Sequence, residues 1–259
     1  MNLSIEHIAK SFRSDRGTVE ALSDVDFKIS SGEFVCILGP SGCGKSTLLN
    51  IIAGLEQSEN GRVLCDGSEV RKTTTDRMLI FQEPALFPWL NVIENVQFGM
   101  LVNSIFKQES EQRAQRFLQM VHLSKFHRAF IHELSGGMKQ RVALARALAL
   151  NPAVLLMDEP FGALDAQTRD LLHIELQEIW ASTKKTILFV THNVREAIRL
   201  GDRVLLMSAR PGRIIKEFRI NLPRPRHMED HALVDLATVI VSDLRSEVNR
   251  ALAEEVGDA

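Results

Sequence analysis

The 259-residue chain has only three cysteines, Cys36, Cys43 and Cys65. So odd and scattered a set argues against a disulfide framework and points to a reducing, cytoplasmic compartment. Net charge is nearly absent too, since 31 Lys and Arg against 33 Asp and Glu leave a formal −2. No overall field is then available to hold nucleic acid by its phosphates, and no nucleic-acid partner is expected. Long apolar runs are missing: no segment approaches the roughly 20 consecutive apolar residues of a membrane span. Met1 to Lys10 lacks the apolar core of a secretion signal, so any work at a membrane is expected to go through a partner. There is no internal repeat, low-complexity tract or heptad array.

The chain is 45% hydrophobic and 25% charged, an ordinary globular balance that excludes disorder over most of its length. Three short apolar runs read as strands. Val35-Cys36-Ile37-Leu38 enters a glycine-rich turn, Val154-Leu155-Leu156-Met157 ends on acidic residues, and Thr186-Ile187-Leu188-Phe189-Val190 ends on Thr191-His192. A buried parallel sheet produces runs of this kind. Leu48, Leu49, Ile51 and Ile52 predict a helix from Thr47 to Ala53 that stops at Gly54. Leu172, Leu176, Ile179 and Trp180 predict another over Asp170 to Thr183. Strand, helix and strand in this order predict a layered α/β core.

Other stretches are patterned differently. Leu3-Ser4-Ile5, Val25-Asp26-Phe27-Lys28-Ile29 and the region around Val63 and Val70 alternate apolar with polar, predicting a small antiparallel sheet. From about Pro88 to Leu150 the pattern is helical, with Ala114, Phe117, Leu118 and Val121 on one face. Pro223-Arg224-Pro225 reads as a break. An amphipathic helix follows from about Asp230 to Leu252, carrying Leu233, Leu236, Val239, Ile240 and Leu244.

Chemistry concentrates first in Gly39-Pro40-Ser41-Gly42-Cys43-Gly44-Lys45-Ser46-Thr47, which fits G-x-x-x-x-G-K-[ST] between an expected strand and an expected helix. Glycines let successive backbone N–H groups converge on phosphate oxygens, and the helix N-terminus adds positive potential. Lys45 brings a full charge to the β and γ phosphates, and Ser46 offers its hydroxyl to Mg²⁺. A merely glycine-rich turn accounts for Gly42 or Gly44, but not for lysine, hydroxyl and flanking elements together. At the end of the second apolar run, Asp158 is assigned to the metal and Glu159 to the base acting on the attacking water. An acidic pair alone is commonly a solvated turn or a helix start; the upstream loop gives this one its meaning. A guanine-specific Asn-Lys-x-Asp is absent, so the expected cofactors are ATP and Mg²⁺.

Leu134-Ser135-Gly136-Gly137-Met138-Lys139-Gln140-Arg141 resembles the signature of the ABC ATPase family. The order of motifs is similar to that family's over roughly residues 3 to 220: phosphate loop, Gln82 in Phe81-Gln82-Glu83, signature, Asp158-Glu159, Ala163-Leu164-Asp165, then His192. The resemblance implies an α/β P-loop NTPase core with a RecA-like, mainly parallel sheet, an N-terminal antiparallel β-subdomain and a helical subdomain insertion. In domain terms it implies a cassette over 1–220, its helical subdomain at about 88–150, and a helical tail over 221–259. Two ATP molecules would be sandwiched between head-to-tail copies, each touched by one chain's phosphate loop and by Ser135, Gly136 and Gly137 of the other. Gln82 would contact Mg²⁺ and the attacking water, His192 the γ-phosphate, and Asp165 would communicate across the dimer. Phe12 matches the position that stacks on adenine, although a core phenylalanine is the commoner fate of that residue. Met138, Phe12 and Gly162 depart from the family's usual glutamine, tyrosine and serine.

Phe81-Gln82-Glu83-Pro84-Ala85-Leu86-Phe87-Pro88-Trp89, Glu159 to Arg169 and Ser208-Ala209-Arg210-Pro211-Gly212-Arg213 look like importer subunits for nitrate, sulfonates and taurine. This implies two integral-membrane permease subunits as partners, an indirect link to a periplasmic or extracellular solute-binding protein, and a peripheral place on the cytoplasmic face of the inner (cell) membrane. An exporter subunit and a soluble, non-transport ABC ATPase remain the alternatives. Leu86, Phe87 and Trp89 either line the groove that receives a permease helix or, for Trp89 above all, belong to the core of the helical insertion.

Overall fold

The computed structural model describes residues 1–14, 17–227 and 231–257. The chain divides into two compact units, Met1–Thr74 with Lys184–Ala259, and Thr75–Thr183.

The first unit opens with a long antiparallel pair, β1 (Leu3–Ser14) and β2 (Gly17–Ile29). Val25, Phe27 and Ile29 alternate inward with Leu3 and Ile5 opposite them, so this sheet packs one face and wets the other. β3 (Phe34–Leu38) starts a second sheet and is buried at every position, as a continuous apolar run demands. It feeds α1 (Lys45–Ala53), which ends where Gly54 turns left-handed at φ 80°. β4 (Asn60–Cys65) and β5 (Ser68–Glu69) return to the first sheet, whose order is β2-β1-β4-β5.

The second unit begins with β6 (Arg77–Ile80), a strand the sequence pattern does not announce because its four residues are too few to carry a period. Three helices follow: α2 (Val92–Val102), α3 (Lys107–Met120) and α4 (Gly136–Ala149). Asn91 and Glu94 close a capping box on α2, each side chain accepting the other's backbone N–H. Val92, Val96 and Met100 of α2 are buried, as are Ala114, Leu118 and Val121, while Phe117 of the expected face is half-buried. Fully burying one such side chain is worth about 1.5–3 kcal/mol. β7 (Val154–Asp158) pairs parallel with β6, and α5 (Ala166–Thr183) closes the unit.

The chain then re-enters the first unit. β8 (Thr186–Thr191) pairs parallel with β3, α6 (Val194–Leu200) follows, and β9 (Arg203–Met207) pairs parallel with the other side of β3. β10 (Ile214–Arg219) lies antiparallel on β9. α7 (His231–Gly257) ends the chain and packs on α6. Its expected start at Asp230 lies outside the described residues. Leu233 and Ile240 are fully buried, whereas Val239 is exposed, because one residue before Ile240 is a rotation of about 100° off the packed stripe.

Candidate nucleotide site

The phosphate loop leaves β3 at Gly39 and enters α1 at Lys45. Gly44, the N-cap, has φ 100°, and a Cβ there would come within 2.7 Å of the Ala21 carbonyl oxygen, so the loop needs glycine at this point. Lys45 is buried and arches over the loop, its Nζ donating to the carbonyls of Gly39 at 3.0 Å and Pro40 at 2.8 Å. Ser41, Gly42 and Ser46 lie near the surface or half-exposed, and Cys43 is buried beneath them. Thr47 stands with Ser46 in the first turn of α1, at the helix end whose dipole favours an anion.

Register explains His192. Leu38 of β3 is level with Thr191 of β8, so Gly39 and His192 leave the sheet side by side at the carboxyl ends of parallel strands. Phe12 pairs with Val19, two residues before the Ala21 that abuts Gly44, and is 43% exposed with Lys10 Nζ 5.3 Å from its ring centre. It is a surface aromatic on the strand paired with β2, whose Ala21 abuts the phosphate loop, rather than a core residue.

The second unit repeats this logic. Ile80 of β6 is level with Met157 of β7, so Gln82 and Glu159, each two residues further on, emerge at the same edge. The Gln82 side-chain amide lies 3.4 Å from where a Cβ on Gly162 would stand, in the turn whose Gly162 N–H donates to the Glu159 carbonyl. Asp158 ends β7 and Glu159 follows in the left-handed region at φ 42°. Ser135 caps α4, its hydroxyl accepting from Met138 N–H at 3.3 Å; Ser135 and Gly136 are exposed and Gly137 is buried. The exposed Asp165 carboxyl accepts Thr168 N–H at 2.9 Å, which holds it below the usual carboxylate range. The residues singled out in the sequence thus fall into two groups: Phe12, Gly39 to Thr47 and His192 in one unit, and Gln82, Ser135 to Gly137, Asp158, Glu159 and Asp165 in the other.

Three supporting contacts escape sequence reading. Gln140 of α4 donates to the Gln82 carbonyl at 2.7 Å. Arg146 of the same helix donates to the carbonyls of Pro84 and Ala85 at 3.0 and 2.9 Å and lies over the Phe87 ring. Arg210 grips the Gly42 carbonyl. Each contact spans 58 or more residues of chain, so no local pattern carries it.

Comparison with known proteins follows the same lines. A family model described as ABC transporter matches residues 22–162. The nitrate import ATP-binding protein NrtD of Synechocystis sp. is 48% identical over 223 residues, 86% of this chain and 84% of that protein. The aliphatic sulfonates import ATP-binding protein SsuB of Bacillus thuringiensis subsp. konkukian is 43% identical over 241 residues, 93% of this chain and 95% of its own. The taurine import ATP-binding protein TauB of Rhizobium johnstonii is 44% identical over 251 residues, 96% of each chain. Among solved structures, the dimeric post-hydrolysis state of the ATP-binding cassette MJ0796 bound to ADP and Pi superposes with a TM-score of 0.75 at 32% identity, covering 85% of this chain and all of that one. With the family model over more than half of its length and such relatives along most of it, this chain belongs to the ABC transporter family, as one of its ATP-binding cassettes.

Proposed function

We propose that this chain hydrolyses ATP, with Mg²⁺, between two head-to-tail copies of itself, and so drives uptake of a small solute of the nitrate, sulfonate or taurine class through separate permease subunits. The observation that carries the reading is the register of the strands. Parallel pairing puts Gly39 beside His192 in one unit and Gln82 beside Glu159 in the other, each at carboxyl strand ends. Lys45 and the loop N–H groups hold the phosphates, Phe12 stacks on adenine, and His192 contacts the γ-phosphate. Glu159 is the base that orients or deprotonates the attacking water. Ser135, Gly136 and Gly137 serve the partner's ATP, and Asp165 communicates across the dimer.

Mg²⁺ suits the donors present. Ser46, Gln82 and Asp158 offer a hydroxyl, an amide carbonyl and a carboxylate, and this ion takes a few protein oxygens with phosphate and water completing its shell. When bound, it neutralises charge on the phosphates. Among the described residues no three His, Cys, Asp or Glu side chains cluster to make a site of their own.

Trp89 is 70% exposed, its ring 5.6 Å from Phe87, which in turn lies 4.4 Å from Phe98. This apolar surface beside the Gln82 loop is where a permease helix docks. No helix among the described residues is long and apolar enough to cross a membrane. The proposed location is the cytoplasmic face of the cell membrane, with a solute-binding protein acting indirectly through the permease.

The test is uptake by cells lacking this gene. Wild-type chain restores accumulation of labelled nitrate, taurine or an alkanesulfonate, and Glu159→Gln does not. Unimpaired uptake of all three in the deletion strain overturns the importer assignment.

A further inference from the structure

Within the Thr75–Thr183 unit, the turn at Ser135 and the loop at Asp165 are fastened together at three points. A Cβ on Gly136 would stand 3.2 Å from Leu164 Cδ2, and one on Gly137 would stand 2.4 Å from Thr168 Cγ2. The start of α4 therefore lies close against Leu164 and Thr168, with no room for a side chain at Gly137 as the structure stands. Further along, Arg141 Nη2 meets Glu175 Oε1 at 2.7 Å, tying α4 to α5. The two side chains are 18% and 14% exposed.

A pair so far out of water is poor evidence of stabilisation, because desolvation offsets much of the attraction. Direction is what it supplies: a short charged contact is selective in geometry. Ser135 is the cap of α4, and Arg141 sits six residues on, less than two helical turns away. Fixing Arg141 therefore fixes the tilt and rotation of the helix end that carries the turn. On the other side, Asp165 accepts Thr168 N–H, and Thr168 and Glu175 are two turns apart on α5. Glu175 thus ties the signature turn to the loop that begins its own helix.

We propose that Arg141 and Glu175 are positioning residues for the signature turn, holding Ser135 and Gly137 at the angle at which they meet the partner copy's ATP and making that angle depend on the Asp165 loop. The inference rests on the two-copy site proposed above. Neither residue belongs to the unit that carries the phosphate loop, so the two functions of the cassette can be tested apart.

The test compares Arg141→Glu, Glu175→Arg and the double exchange, with three readouts: steady-state turnover, MgATP binding by the isolated chain, and ATP-dependent dimerisation in a Glu159→Gln background. Each single change lowers kcat on the order of 100-fold, the cost of a misplaced reacting partner, and abolishes the ATP-dependent dimer. Binding of MgATP to the chain's own phosphate loop stays at the wild-type level. The double exchange restores the ion pair in reverse and with it the dimer and much of the turnover. Wild-type turnover in either single variant overturns the proposal. So does a double variant that still fails while it folds and binds MgATP. Should the single exchanges fail to fold, Arg141→Met removes the ion pair and keeps the length of the side chain, and wild-type dimerisation in that variant overturns the proposal as well. Ser135→Arg is assayed alongside: normal turnover there defeats the two-copy reading itself, whereas loss there with normal turnover in Arg141→Glu defeats only this inference.

Discussion

Arg210 holds the carbonyl of Gly42 from two nitrogens, Nη2 at 2.9 Å and Nε at 3.2 Å. With that oxygen engaged, the peptide between Gly42 and Cys43 is kept in one orientation. The orientation of such peptides decides whether their N–H groups face a phosphate. The turn that carries Arg210 is itself anchored, since Ser208 Oγ donates to the Pro211 carbonyl and the Ala209 N–H donates to Glu247 of α7.

Arg210→Ala is expected to weaken nucleotide binding by about 1 kcal/mol, roughly fivefold, the low end for a charged hydrogen bond because Arg210 is exposed. Titration with a fluorescent ATP analogue measures it. Equal affinity in variant and wild type would remove the clamp from the account.

Glu159→Gln keeps the shape of the side chain and removes its basicity. Turnover is expected to fall by about 10²- to 10⁴-fold, the usual contribution of a general base, while ATP binding persists. On the proposed ATP-driven pairing of two copies, the variant is expected to elute as a dimer with MgATP and not with MgADP. A monomeric elution in both, with turnover near wild type, contradicts the assignment.

Ser135→Arg places a bulky cation on the exposed cap of α4. Nucleotide binding is expected to be untouched and turnover lost if, as proposed, the turn serves the partner's ATP. Mixed with Lys45→Ala, it yields dimers with at most one complete site, so turnover well below that of wild type is expected. Full recovery in the mixture argues against the head-to-tail arrangement.

The strands that position the site were legible where burial is complete: Val35 to Leu38, Val154 to Met157 and Thr186 to Val190 all lie in β3, β7 and β8. β6 was not, because its four residues carry no period and its place is set by parallel pairing with β7, 77 positions on by the Arg77–Val154 pair. β9 went unread although Val204 to Met207 is as buried as β3. Among site residues, the phosphate loop announces itself because one segment holds all its groups. Gln140, Arg146 and Arg210 act through contacts to distant carbonyls, and a polar side chain on a helix or turn looks the same in sequence whether or not it reaches one.

Among the described residues Arg226 is the largest fully buried side chain, 2% exposed, and its guanidinium donates to four carbonyls, those of Ile198, Gly201, Ile220 and Leu222. Ile198 lies in the last turn of α6 and Gly201 caps it, so one cation satisfies carbonyls that the helix end leaves unpaired. Burial lowers its pKa to about 10. The folded value lies below the unfolded one, but both states stay charged below about pH 9. No titration of stability from this group is therefore expected between pH 6 and 9. Arg226→Met removes the donors and leaves the carbonyls buried, which is expected to cost about 3 kcal/mol, read as a lowered urea midpoint with an unchanged slope. A loss below about 1 kcal/mol would mean that water reaches those carbonyls once the guanidinium is gone. Because α6 is capped by Asn193, next to His192, the same variant also tests whether α6 must stay fixed for turnover. Measured well below its melting temperature, a lowered kcat with unchanged MgATP binding places His192 under the control of this buried arginine, and an unchanged kcat confines Arg226 to the fold.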